Sequence, residues 1–141
     1  MEMGYRNTFI TVAPDSPVKA AVVPQPRGTG KPIHLLEYEL LSEAPYQYTE
    51  EELQFKVHVL RQQISDEELD AHREKLWREF FSKSRACMRS SALPKKYGWG
   101  LHYNEEGKIA LYPMESAEYA AFAENRAGNL KVIPAMRTKR S

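Results

Sequence analysis

Apolar and polar residues follow two periods along this chain, and the places where one period gives way to the other divide it into elements. Over residues 97–112 the period is two. Asn104 and Lys108 flank Glu105-Glu106-Gly107, the pattern of a three-residue hairpin loop in which a type I turn precedes a residue of positive φ, a place suited to glycine. That register sets Tyr103 opposite Ile109 and Leu101 opposite Leu111 on one face of the ribbon. His102 then lies opposite Ala110 and Gly100 opposite Tyr112 on the other. The first face is apolar and belongs on a core. On the second, Gly98 and Gly100 leave bare backbone for the Tyr112 ring to cover, and such glycines more often relieve crowding, here around Trp99, than admit a ligand.

Before the hairpin the period is mostly helical. Asn7-Thr-Phe-Ile-Thr-Val12 is β-branched and aromatic and predicts a strand ended by Pro14 and Pro17; Val18-Lys-Ala-Ala-Val-Val23 predicts an edge strand stopped by Pro24. Residues 24–32 read as a loop, and its Gly28-Thr-Gly30-Lys31 lacks the glycine spacing and the Ser or Thr of a phosphate loop. From Pro32, a residue that suits the first helical position, Ile33, Leu36, Leu40 and Leu41 share one side of a helix that Pro45 ends. Thr49 and Glu52 spell a capping box with Tyr48 and Leu53 as its hydrophobic staple, and Leu53, Val57, Leu60 and Ile64 make the predicted buried stripe. Ser65 with Glu68, and Ile64 with Leu69, repeat the device and open a third helix with Leu69, Leu76, Trp77, Phe80 and Phe81 on one face. Its charges read as surface pairs such as Glu74 with Arg78 and Glu79 with Lys83. After the hairpin, Ser116 caps a short helix that turns Tyr119 and Phe122 inward; Leu130–Pro134 is a last strand or extended arm, and residues 135–141 form a basic tail. The order predicts one α+β domain over residues 1–141: a small, mainly antiparallel sheet packed on one face by about four helices.

Composition narrows the class. A hydrophobic share of 42% with 28% charged residues belongs to a folded globular chain. No apolar run approaches the roughly 18 residues of a membrane span, so a cytoplasmic protein is expected. The one cysteine, Cys87, has no partner for an internal disulfide.

Net charge is only +1, yet its distribution is uneven. No acidic residue lies between Glu79 and Glu105, where Lys83, Arg85, Arg89, Lys95 and Lys96 fall. None follows Glu124, where Arg126, Lys131, Arg137, Lys139 and Arg140 fall. If the tail folds back beside the hairpin, Arg85, Arg89, Lys95, Lys96 and Arg137 form an anion-binding patch flanked by Tyr97, Trp99 and His102. That makes a binding module for a nucleic acid, a nucleotide or an acidic partner. The competing reading, solvated charge or pairing with the acidic helices, carries more weight. The alternative function is a small enzyme acting on a phosphorylated or carboxylated metabolite, with Cys87 or His102 in the site. His34-x-x-Glu37 and Glu68-x-x-x-His72 are single pairs that do not spell a metal site, and no cofactor is predicted. Exposed Tyr46, Tyr48 or Trp99 would serve a homodimer.

Asn7-Thr-Phe-Ile10, Val12-Ala-Pro-Asp15, Pro45-Tyr-Gln-Tyr-Thr49, Leu93-Pro-Lys-Lys-Tyr-Gly-Trp-Gly100, Ile109-Ala-Leu-Tyr112, Glu115-Ser-Ala-Glu-Tyr119 and Ala135-Met-Arg137 together resemble a family of small, mostly bacterial proteins classified only as a domain of unknown function. The resemblance spans nearly the whole chain and implies a single domain. It implies no activity, cofactor or site residue.

Overall fold

A computed structural model describes residues 5–137 of the chain. The last four residues of the predicted basic tail, Thr138 to Ser141, lie outside the described residues. The elements run β1 (Thr8–Thr11), α1 (Ile33–Glu43), α2 (Glu50–Arg61), α3 (Asp66–Phe80), a 3-10 turn (Met88–Ser90), α4 (Ala92–Lys96), β2 (Trp99–Tyr103), β3 (Ile109–Pro113), α5 (Ala117–Ala123) and β4 (Lys131–Pro134). The chain is α+β, with the four strands in the order β3-β2-β1-β4. β2 runs antiparallel to both neighbours, and β4 lies parallel to β1, with Thr8 beside Lys131.

The hairpin adopts the predicted register, from Gly100 with Tyr112 to Tyr103 with Ile109. Its loop is held by Asn104, whose Oδ1 accepts from the amides of Glu106 at 3.0 Å and Lys108 at 2.9 Å, while Gly107 takes φ +80°. The lead-in is helical: Leu93-Pro-Lys-Lys forms most of α4, capped by Ser91, whose hydroxyl accepts from the Leu93 amide, and Pro94 is tolerated in a first turn whose amides need no intrahelical partner.

β1 sits between β2 and β4, and its Phe9 and Ile10 are both fully buried, so each face of the sheet is covered. On one face Ile10, Leu101, Tyr103 and Ile109 pack with Leu41 of α1, Leu53 of α2 and Met88. On the other, Tyr119 and Phe122 of α5 pack on Phe9 at ring distances of 5.1 and 5.2 Å. Helices therefore lie on both faces rather than on the one predicted. Gly100 permits this: a Cβ there would stand 2.6 Å from Phe9 Cζ and 2.7 Å from Tyr119 Cε2. The glycine does relieve crowding, but Phe9 and Tyr119 cover it, not Tyr112. Tyr112 turns instead to His102, Phe122 and Tyr46.

The outer side of β3 is met at its start by the link between α1 and α2. The Tyr46 amide donates to Ile109 O and the Ile109 amide to Tyr48 O, which covers the first residue of that edge. Tyr46 adopts φ +60°, costly for a side chain with a Cβ, and its hydroxyl lies 2.8 Å from both His102 Nδ1 and Tyr112 Oη.

The predicted caps form at Thr49, Ser65 and Ser116, the first as a complete capping box. The buried stripe of α2 holds at Leu53 and Val57 and differs elsewhere. Leu60 is 42% exposed, whereas Phe55 and Val59 are buried against Phe80, with Leu69, Leu76, Trp77 and Phe81 of the α3 region around them. α2 is thus packed on two sides, by the sheet core and by α3. Among the described residues the ion pair on α3 is Lys75 with Glu79 at 4.0 Å, in place of the two expected there. Residues 18–23 form no strand, because both sides of β2 are taken; the segment is tacked by the Val22 amide to Tyr97 O and by Trp99 Nε1 to Val22 O.

Candidate functional site

An open cleft of about 560 Å³ lies between α1, α2 and the chain from Phe80 to Ala92. One wall is the C-terminal end of α3. There Arg85 folds back, donating from Nε and Nη2 to Phe80 O at 2.9 and 2.7 Å, with its guanidinium 3.9 Å over the Phe80 ring. A cation on the last carbonyl of a helix is favoured by the helix dipole, and the ring contact adds to it. His58, one helical turn before Arg61 on α2, rests 4.5 Å from the same ring. His34, at the start of α1, stacks on Tyr97 at 4.8 Å.

Both histidines line the cleft, and both are pushed toward the neutral form. Burial is the first cause in each case. The positive charges of Arg85 and Arg61 add to it at His58, and those of Arg27 and Lys96 at His34. Among the described residues none of these four cations forms an ion pair: the pairs are Lys31 with Glu39, Lys75 with Glu79, Lys108 with Glu106 and Arg126 with Glu124.

The inner side of the cleft is acidic but shielded. Glu37, one turn beyond His34, is 7% exposed, and its Oε1 accepts the Ser91 hydroxyl at 2.7 Å. Burial pushes the Glu37 carboxyl up to about 7; the Ser91 hydrogen bond opposes this, and neighbouring Glu50 adds to it. Glu50 is deeper, 1% exposed, with Oε1 accepting from Tyr103 Oη at 2.6 Å and from the Met88 amide at 3.2 Å. Burial raises its proton affinity too. Cys87 also lines the cleft and receives the Tyr5 hydroxyl at 3.5 Å.

The predicted patch is divided. Arg85 enters the cleft wall, and Lys96 stands beside His34. Arg89 turns to the C-terminal arm, its Nε donating to Pro134 O at 2.9 Å and its carbonyl accepting the Met136 amide, so the arm does run beside the Met88–Ser90 turn. Arg137 follows that arm, exposed. Lys95, half-buried on α4, has no ion pair or side-chain hydrogen bond among the described residues. Tyr97 supports His34, and Trp99 holds the 18–23 segment and packs on Tyr38. His102 is on the opposite sheet face, stacked 4.2 Å from Phe122. It lines a separate groove with Arg126, which Glu124 already neutralises at 2.8 Å.

Sequence reasoning left Glu50, Arg61 and Ser91 out of the site. The one signal it held was His34-x-x-Glu37, set aside as a metal pair, which places two cleft-lining groups on one side of α1. Among the described residues no group of three or more histidine, cysteine, aspartate or glutamate side chains is set to hold a metal, and no helix is long and apolar enough to cross a membrane. The model of a family of unknown function, DUF6157, matches residues 1–141. No curated protein and no solved structure matches the chain.

Proposed function

We propose that this chain, which belongs to the family of unknown function DUF6157, binds a small anionic ligand in the cleft between α1, α2 and residues 80–92. The observation that carries this reading is the pair of cations that line the cleft, Arg61 and Arg85, which take part in no ion pair among the described residues; Arg27 and Lys96 bear on His34 from beside it. A concave site with low-dielectric walls focuses such a field. A volume of about 560 Å³ suits one small molecule, so a nucleotide or phosphorylated metabolite fits better than a nucleic acid strand or an acidic protein. The free thiol fits a reducing compartment such as the cytosol.

A second reading, a small enzyme on the same ligand class, is favoured by one fact: Cys87 and both neutral histidines line the same cleft. A neutral imidazole can serve as a base toward a thiol within hydrogen-bond reach. His102, on the other sheet face, has no part in it.

The test is calorimetric titration at low salt with inorganic phosphate, a nucleoside monophosphate and a short single-stranded DNA. Phosphate or the nucleotide binds in a salt-sensitive way, and Arg61→Gln or Arg85→Gln weakens it about tenfold, the effect of one charge-assisted contact. Arg126→Gln leaves it unchanged. Absence of binding by all three probes, or equal affinity in the first two variants, overturns the proposal.

A further inference from the structure

Cations line this cleft, yet a carboxyl stands among them, and an anion entering the cleft must meet it. We propose that the cleft takes up its anion together with one proton, held on the Glu37 carboxyl. The inference rests on reading the cleft as an anion site and adds how that site is governed.

Glu37 is too buried for solvent to screen a second negative charge, and it has no cation partner of its own: Ser91 is its one side-chain hydrogen-bond donor among the described residues. The groups around it come from every neighbouring element. His34 shares its helix; α2 contributes Glu50, His58 and Arg61; the 80–92 segment contributes Arg85, Cys87 and Ser91; and Lys96 of α4 and Arg27 act through His34. Glu50, the charged neighbour that bears on Glu37 directly, opposes its ionisation. A bound anion adds a second negative neighbour, so it raises the proton affinity of Glu37 further and binding draws a proton from solvent onto the carboxylate oxygen. The acid form removes the repulsion, and its hydroxyl is a donor that a carboxylate is not. Because the empty protein already holds Glu37 near half-protonation at neutral pH, uptake is expected over the range where cells operate.

Sulfate is the probe, since it stays fully ionised over the range and brings no protons of its own. Calorimetry at pH 7.5 in buffers of low and high ionisation enthalpy gives the protons taken up per sulfate bound. Roughly half to one proton is expected, with affinity falling about tenfold per pH unit above neutrality. Glu37→Gln keeps sulfate binding, loses that uptake and flattens the profile. His34 and His58 face the same ligand, so the difference between wild type and Glu37→Gln isolates the carboxyl. Should Glu37→Gln not fold, Ser91→Ala serves: without the hydroxyl that favours the ionised form, affinity starts to fall at a higher pH. Sulfate binding with no proton uptake, or uptake undiminished in Glu37→Gln, or an unmoved profile in Ser91→Ala, overturns the inference while sparing the anion reading. Failure of sulfate to bind overturns the inference, and the anion reading falls with it where phosphate, the nucleotide and the DNA also fail to bind.

Discussion

At the scale of single residues, Glu37 ties stability to pH in a direction opposite to that of most carboxylates. Its folded value, about 7, lies above the ordinary 4.5, so between those limits the folded protein keeps a proton that the unfolded chain has lost. The stabilisation is complete below pH 4.5, drains away as pH rises through 7 and is gone above it. Glu37→Gln, which has nothing to ionise, gains on the wild type by up to about 3 kcal/mol between pH 4.5 and pH 8. Urea midpoints at the two pH values check this, and a constant difference between the proteins contradicts it. The lowered histidines His34, His58 and His102 act the other way, withdrawing stability as pH falls through 6.5, and they are common to both proteins. Gly100 gives a steric counterpart. Gly100→Ala sets a methyl against Phe9 and Tyr119 and costs on the order of 1–3 kcal/mol, read as a drop in urea midpoint. The glycine was conspicuous in the sequence, while the rings above it were not, since they arrive from β1 and α5. Glu37 was less legible still: nothing local separates a carboxyl that a fold buries from one on a helix surface.

Elements were legible where their rules are local. The Asn104 to Lys108 loop fixes the hairpin register with contacts a few residues apart, and Thr49 with Glu52 closes its cap within one turn. The buried side of α2 was legible only in part, at Leu53 and Val57, because two stripes compete on it and only the partners decide. Leu60 extended one stripe at ideal spacing but faces solvent, whereas Phe55 and Val59 meet Phe80 and the half-buried face of α3. Phe55→Ala accordingly costs about 3–5 kcal/mol and Leu60→Ala well under 1 kcal/mol. Equal losses in chemical denaturation would show that α3 is not packed as described. The same docking sets the cleft, since Phe80 and Arg85 reach His58 only while α3 rests on α2.

Across the whole molecule, the sheet binds distant parts of the chain. The Lys131 amide donates to Asn7 O and the Ala135 amide to Thr11 O, and Ala135 is buried in the main core. These amides are expected to exchange with solvent only through global unfolding, together with those of Phe9 and Ile10. The Val22 amide, bonded to Tyr97 O on an exposed segment, exchanges through local opening. Hydrogen exchange followed residue by residue distinguishes the two classes, and a fast Ala135 amide would mean that β4 frays on its own. The sequence offered Leu130–Pro134 as strand or arm with no partner, since a parallel pairing needs a crossover that no turn motif announces. That pairing also sets a schedule for synthesis. A ribosome that has threaded out β1 must still deliver all five helices, the hairpin and Lys131 before the flank of β1 is occupied, so the nascent chain carries an unfinished sheet until β4 itself emerges.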